Sequence, residues 1–143
     1  MMPPLILVVG ATGQLGAVVA RKLCARGMRV RALVRPDSGT KHLSQLAVEA
    51  VTGDLLRPDT LATACKGVDY IIATANAAIP RKPLDRFETV DAKGYRDLID
   101  AARQSGVRQF IYTSVTSAKH ESGANATRQS ASALEIILFM TCS

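Results

Sequence analysis

Residues 5–16 have the sequence LILVVGATGQLG and determine how the rest of the chain is interpreted. Residues 5–9 are all apolar and three of them are β-branched, which predicts a short strand buried on both faces, as in a parallel sheet. Three glycines with the spacing G-x-x-G-x-x-G follow this strand, and apolar residues then recur every three or four positions as far as Leu23. This periodicity predicts a helix, so the glycines lie in a loop between a buried strand and a helix.

The sequence predicts a separate structural role for each glycine of the loop. Gly10 permits the tight turn out of the strand, Gly13 lets the backbone approach a pyrophosphate, and Gly16 lets the helix pack closely against the strand. The free N–H groups and the positive dipole end of the helix would then face the phosphates, with Thr12 and Gln14 as further donors. The pattern predicts a dinucleotide site, and the alternative is a tight strand–helix turn without a ligand.

Length and composition favour one compact globular domain. The chain has 143 residues, of which 48% are hydrophobic, so it can bury a core, and this composition argues against disorder. It contains no apolar run long enough to span a bilayer, and its first residues lack the basic region of a secretory signal. Cys24, Cys65 and Cys142 show no metal-ligand spacing. We therefore expect no metal site and a cytoplasmic protein with reduced thiols.

The net charge of +6 raises the question of a nucleic-acid partner. The eighteen lysines and arginines are scattered, form no basic run and have few aromatic residues between them. This distribution argues against nucleic acid and fits a solvated surface together with a phosphate-bearing ligand.

Strand and helix patterns alternate along the chain. Further strands are predicted at residues 29–34, 49–52, 69–73 and 107–113, and helices at residues 38–47, from Pro58 to Gly67 and from Phe87 to Gly106. Five strands that alternate with helices predict an α/β fold with a doubly wound parallel sheet of the Rossmann type. In such a sheet, ligands bind at the carboxyl ends of the strands, beside the first and fourth strands here.

Arg35 bears on the choice of nucleotide. An acid about 20 residues after the glycine loop binds the ribose 2′-hydroxyl of NAD, whereas an arginine there suits the 2′-phosphate of NADP. This chain has Arg35 at the end of its second strand and no acid before Asp37. The sequence therefore favours NADP(H), with NAD(H) as the alternative, and the competing interpretation is a solvated charge at a strand end.

Asp54 and Leu55 follow the third predicted strand. At this edge Asp54 could accept a hydrogen bond from an adenine amino group, with Leu55 against the ring. An aspartate that only forms the turn fits the spacing equally well.

The segments GATGQLG (10–16), RALVR (31–35), GDL (53–55), GVDYII (67–72) and GVRQFIYTS (106–114) together resemble the atypical short-chain dehydrogenase/reductase superfamily, and within it the NmrA-like NAD(P)H-binding proteins. The likeness covers about the first four-fifths of the chain. The resemblance implies that the pyrophosphate is held by Gly10, Thr12, Gly13, Gln14, Leu15 and Gly16. It implies that Arg35 binds the 2′-phosphate and that Asp54 and Leu55 border the adenine. It further implies that the adenosine ribose is bordered by Ala73, Thr74 and Ala75, and that Ser114 lies near the nicotinamide.

The sequence departs from the family pattern in one catalytic feature. Active members commonly use a Tyr-x-x-x-Lys pair, in which the lysine lowers the pKa of the tyrosine, but Tyr70, Tyr95 and Tyr112 are each followed at that spacing by another residue type. We interpret Ser114, Lys119 and His120 as surface residues, so the catalytic residues stay unknown. Three functions are consistent with these features. The first is an NADP(H)-binding oxidoreductase, or its cofactor-binding part, that acts on an unidentified small molecule. The second is a non-catalytic NADP(H)-dependent redox sensor that acts on a protein partner, and the third is a remnant with neither role.

The chain is predicted to divide into a dinucleotide-binding domain, residues 1–118, and an atypical tail, residues 119–143. Family members are considerably longer, and the tail lacks their lysine-containing helix, so we expect a truncated, frameshifted or alternatively ended form. Residues 135–140 are mostly apolar and could add a sixth strand beside the fifth.

Overall fold

The computed structural model describes residues 2–41, 43–74, 93–113 and 137–141, which contain a six-stranded sheet with helices. In chain order the elements are β1 Leu5–Val9, α1 Gln14–Ala25, β2 Arg29–Val34, β3 Val48–Thr52, α2 Pro58–Cys65, β4 Tyr70–Ala73, α3 Tyr95–Gln104, β5 Gln109–Thr113 and β6 Ile137–Thr141.

The strand order is β3-β2-β1-β4-β5-β6, and β1 to β5 are all parallel. The chain first builds outward from β1 to β3 and then crosses to the other side of β1 to add β4 and β5. This arrangement confirms the predicted doubly wound parallel sheet of five strands. The predicted sixth strand is also present, and β6 pairs antiparallel to β5.

Two hydrophobic cores cover the two faces of the sheet. Successive side chains of a strand point to opposite faces, so Leu5, Leu7 and Val9 join the core formed with α2 and α3, while Ile6 and Val8 join the core formed with α1. All five residues of β1 are buried. Since both faces are covered, β1 can be apolar throughout, as the sequence predicted.

The helix predicted for residues 38–47 is wrong. Apart from His42, which the structure does not describe, this segment consists of turns, bends and irregular backbone. Its hydrogen bonds include short-range ones from the N–H of Leu43 to the carbonyl of Thr40, at 2.9 Å, and from the N–H of Leu46 to the carbonyl of Leu43, at 3.0 Å. The segment opens with Ser38, Gly39 and Thr40, which are poor helix formers, and the burial of Leu43 needs only a turn.

The remaining helices end as predicted. α1 is followed by Gly27 with φ +74°, and α3 by Gly106 with φ +76°, a left-handed conformation that suits glycine at the end of a helix. The helix predicted from Phe87 to Gly106 overlaps residues 75–92, which lie outside the described part of the chain, and in the described part α3 begins at Tyr95. None of the helices in the described ranges has the length and apolar character needed to cross a membrane.

Candidate functional site

The glycine loop connects β1 directly to the first turn of α1. Gly10 has φ +90°, and its carbonyl accepts a hydrogen bond of 3.0 Å from the N–H of Gly13. Gly13 is the N-cap of α1, and its carbonyl accepts the 2.9 Å bond from Ala17 that begins the helix. The N–H groups of the first turn have no acceptor within the helix, so they and the helix dipole favour an anion at this end.

At Gly16, α1 packs closely against the backbone of the loop. A Cβ atom at this position would lie 1.9 Å from the carbonyl oxygen of Gly10 and 2.9 Å from the Cα atom of Ala11. Both neighbours are backbone atoms and cannot move aside as a flexible side chain could. The close packing expected at Gly16 is therefore present, and it fixes the position of the helix N-terminus relative to the end of β1.

Thr74 joins the end of β4 to the end of β1. Its backbone N–H donates to the carbonyl of Val9 at 2.8 Å, and its hydroxyl donates to the same carbonyl at 3.0 Å. On the next strand, the hydroxyl of Thr113 donates to the carbonyl of Ala73 at 3.1 Å. These bonds hold the carboxyl ends of β1, β4 and β5 together beside the glycine loop.

On the other side of β1, two charged side chains meet at the carboxyl ends of β2 and β3. The Nε atom of Arg35 lies 3.8 Å from Oδ1 of Asp54, and the two side chains are only 23% and 14% exposed. Arg35 at the end of β2 is therefore half-buried and paired with a carboxylate. This ion pair places a guanidinium at the same sheet edge as the glycine loop.

Asp54 also organises the turn that follows β3. Its Oδ1 atom accepts a 3.0 Å hydrogen bond from the N–H of Leu56, and its own N–H donates to the hydroxyl of Thr60 at 3.0 Å. Asp54 is thus a turn-forming residue, as one of the two interpretations held. The side chain of Leu55 is 4% exposed and belongs to the core beneath α2 and α3.

The structure brings most of the predicted site residues to one edge of the sheet. Those at the carboxyl edge of the strands are Gly10, Thr12, Gly13, Gln14, Leu15, Gly16, Arg35, Asp54, Leu55, Ala73 and Thr74. Ala75 and Ser114 lie outside the described residues, as do Lys119 and His120. Within the described ranges, no group of three or more side chains is arranged to hold a metal ion.

Sequence reasoning missed an aromatic pair near this edge. Tyr95 begins α3, and its ring lies edge-on to the ring of Tyr112, with 4.8 Å between the ring centroids. Tyr112 pairs in register with Ala73 of β4. The two tyrosines are 17 positions apart in the sequence, so a search for a local Tyr-x-x-x-Lys motif could not connect them.

A parallel sheet of this strand order, with a glycine loop and a helix N-terminus where the order reverses, defines a dinucleotide-binding domain. Comparison with known families agrees with this class. The model of the NmrA-like family matches residues 2–131, and the chain belongs to that family.

Two relatives carry names that describe different functions. Sterol demethylase protein B of Methylococcus capsulatus is 43% identical over 76% of this chain and 33% of its own length. Photosystem II assembly factor Ycf39 of Cyanophora paradoxa is 37% identical over 77% of this chain and 34% of its own length. The chain thus spans about one-third of the length of these relatives.

Two similar solved structures contain nicotinamide dinucleotides. A short-chain dehydrogenase/reductase superfamily protein from Agrobacterium tumefaciens with bound NAD is 32% identical and superposes with a TM-score of 0.59, covering 76% of this chain and 31% of that one. AtPrR2 with NADP+ and (+)pinoresinol is 25% identical with a TM-score of 0.61, covering 76% of this chain and 35% of that one. Neighbours of this fold therefore bind NAD in one case and NADP+ in the other.

Proposed function

We propose that the chain binds NADP(H) at the carboxyl edge of its sheet and is the cofactor-binding part of an oxidoreductase of the NmrA-like type. The observation that carries this proposal is the contact at Gly16, where the helix meets the loop backbone so closely that no side chain fits. This packing presents the N–H groups of the first turn of α1 at the switch point of the sheet, where two linked phosphates can be bound without a clash.

The remaining contacts between the chain and the cofactor are assigned from the positions that match the family pattern. Residues 10–16 hold the pyrophosphate, Arg35 binds the 2′-phosphate, and Asp54 with Leu55 borders the adenine. Because the side chain of Leu55 is buried in the core, Leu55 would border the adenine with its backbone atoms, and its side chain would support the adenine site from the core side. By the family resemblance, we assign Ala73, Thr74 and Ala75 to the adenosine ribose and Ser114 to the nicotinamide, with Ala75 and Ser114 outside the described part of the chain. The cofactor would supply the hydride, and these residues would orient it.

The nucleotide assignment is tested by titrating the protein with NADPH and with NADH, before and after the change Arg35→Ala. Loss of a charge-assisted contact to the 2′-phosphate should weaken NADPH binding by about 1–3 kcal/mol, which is roughly 5- to 150-fold. NADH has no 2′-phosphate, so its affinity should change little. Isothermal titration calorimetry or cofactor fluorescence would measure both.

Arg103→Ala is a matched control, because Arg103 is an exposed arginine in the last turn of α3, at the opposite end of the helix from the sheet edge that holds the site. It removes the same charge and should leave both affinities unchanged. Equal affinity of the unmodified protein for NADPH and NADH would contradict the role of Arg35, and failure to bind either nucleotide would contradict the whole proposal.

Catalysis is a separate question, for which NADPH oxidation would be followed with a panel of carbonyl compounds. Turnover of any member supports an oxidoreductase, and its persistent absence in a protein that binds NADPH excludes independent catalysis by this chain.

A second candidate function is a non-catalytic redox sensor that binds a protein partner according to the state of its cofactor. One relative, photosystem II assembly factor Ycf39 of Cyanophora paradoxa, is named as an assembly factor, which favours this function. Affinity capture with NADPH, with NADP+ and without nucleotide tests it, since a sensor should retain different partners in the three cases. Identical partners in all three would exclude it.

The proposed compartment is the cytoplasm. Of the described cysteines, Cys24 and Cys65 are both free thiols, which suits a reducing environment. Fractionation of the source cells with an antibody to the chain would test the location.

A further inference from the structure

The ion pair between Arg35 and Asp54 follows from the pairing of β2 with β3. Val34 and Thr52 are register partners in this parallel pair, and the N–H of Gly53 donates to the carbonyl of Val34 at 2.9 Å. Both charged side chains therefore leave the sheet at the same edge, and 3.8 Å separates Nε of Arg35 from Oδ1 of Asp54.

Asp54 is held in place by contacts other than the one to Arg35. Its carboxylate accepts the N–H of Leu56, and its N–H donates to Thr60. The preceding residue, Gly53, packs closely against the side chain of Leu33, since a Cβ atom there would lie 2.6 Å from Cδ1 of Leu33. The negative charge of Asp54 is therefore a fixed part of the β3–α2 turn.

We infer that Asp54 is a specificity-determining residue that reduces the preference of this site for NADPH over NADH. The inference depends on the proposed function, in which Arg35 binds the 2′-phosphate. A phosphate that approaches Arg35 must share the guanidinium with the Asp54 carboxylate and is repelled by its charge. NADH carries no phosphate at this position, so Asp54 weakens the binding of NADPH alone. The difference in affinity between NADPH and NADH is therefore smaller than it would be without the Asp54 charge.

The test is the ratio of the dissociation constants for NADH and NADPH in the unmodified protein and in Asp54→Asn. Both nucleotides contain the same adenine, so any direct contact between Asp54 and adenine cancels in this ratio. Removal of the carboxylate charge should raise the ratio about fivefold in favour of NADPH at low salt, because it removes a charge repulsion at close range. The increase should shrink at high ionic strength.

Two further variants separate this effect from others. In an Arg35→Ala background, Asp54→Asn should raise the ratio less, because the guanidinium for which carboxylate and phosphate compete is gone. Asp59→Asn removes an exposed carboxylate from the first turn of α2 and should leave the ratio unchanged. If Asp54→Asn does not fold, Asp54→Ser removes the same charge and keeps an oxygen that can accept the N–H of Leu56.

An unchanged ratio in the folded neutral variants would overturn the inference. A lower ratio would also overturn it, and would mean that Asp54 holds Arg35 in the orientation that binds phosphate. A full increase in the Arg35→Ala background would show that Asp54 does not act through Arg35. In all these outcomes the protein still binds NADPH, so they are distinct from failure of the proposed function, in which neither nucleotide binds.

Discussion

Arg31 shows how a single charged residue is accommodated within the sheet. It lies in β2 opposite Glu49 of β3 and pairs with that carboxylate at 3.2 Å. Its Nη1 atom also donates to the carbonyls of Ala64, at 3.0 Å, and Lys66, at 2.6 Å. These carbonyls lie at the end of α2, where the helix dipole favours a positive charge. Arg31 therefore fastens α2 to the sheet.

The same guanidinium influences the buried thiol of Cys65. Burial raises the pKa of Cys65 from 9.0 to about 11, although the charge of Arg31 acts in the opposite direction. The protonated thiol is thus favoured in the folded state. Its contribution to stability is complete below pH 9, the pKa of the unfolded chain, and is lost as the pH rises towards 11.

We expect the free energy of unfolding to fall by about 2 kcal/mol between pH 9 and pH 11 because of this one group. Urea denaturation at several pH values would measure it. Lysines and tyrosines also titrate in this range, so Cys65→Ala is the control, and its stability should depend less on pH than that of the unmodified protein. Parallel curves for the two proteins would show that Cys65 does not contribute.

At the scale of elements, the sequence pattern predicted those helix and strand bounds that depend on neighbouring residues. β1 and β2 have the predicted bounds, because an unbroken apolar run and flanking breakers are both visible in the chain. The segment 38–47 was misjudged, since the spacing of Leu43 and Leu46 fits one helical turn and one tight turn equally well. The direction of β6 was not predictable, because a run of apolar residues has the same appearance in a parallel and an antiparallel strand.

The junction between the glycine loop and α1 gives the prediction at this scale. Gly16→Ala would place a Cβ atom 1.9 Å from the carbonyl oxygen of Gly10, so the helix or the loop must shift. We expect a loss of at least about 2 kcal/mol in the free energy of unfolding. NADPH affinity should fall at least about tenfold, since the N–H groups of the first turn lose their position.

Gly39→Ala provides the comparison, because a Cβ atom at Gly39 meets nothing within 4 Å. This change should alter stability by less than about 0.5 kcal/mol and leave NADPH binding intact. Chemical denaturation and nucleotide titration of both variants measure the contrast. Equal effects of the two changes would mean that the close approach at Gly16 has no special role.

At the scale of the whole molecule, the decisive information is the order and register of the strands. The glycine loop is a local motif and was predicted from the sequence. Arg35 and Asp54 are 19 positions apart, and each was predicted separately as a ligand contact. Only the parallel pairing of β2 and β3, with Val34 beside Thr52, places the two charges against each other. Such a contact depends on tertiary structure, so the residue pattern alone did not indicate that Arg35 and Asp54 form an ion pair.

The two cores and the site together predict how the molecule responds to its ligand. β1 contributes alternate residues to both cores, and the glycine loop continues directly from its last residue. A nucleotide bound to the loop therefore stabilises the strand that both cores share. We expect one cooperative thermal transition, which a remnant without a stable fold would not show.

NADPH at 100 times its dissociation constant should stabilise the folded state by about 2.7 kcal/mol. For a domain of this size, that corresponds to a rise in Tm of roughly 5–10 °C. Scanning calorimetry with increasing NADPH measures it, and the rise should be smaller in Arg35→Ala at the same NADPH concentration, because that variant binds less nucleotide. A broad thermal transition whose midpoint temperature does not change with NADPH concentration would favour the remnant over both the oxidoreductase and the sensor.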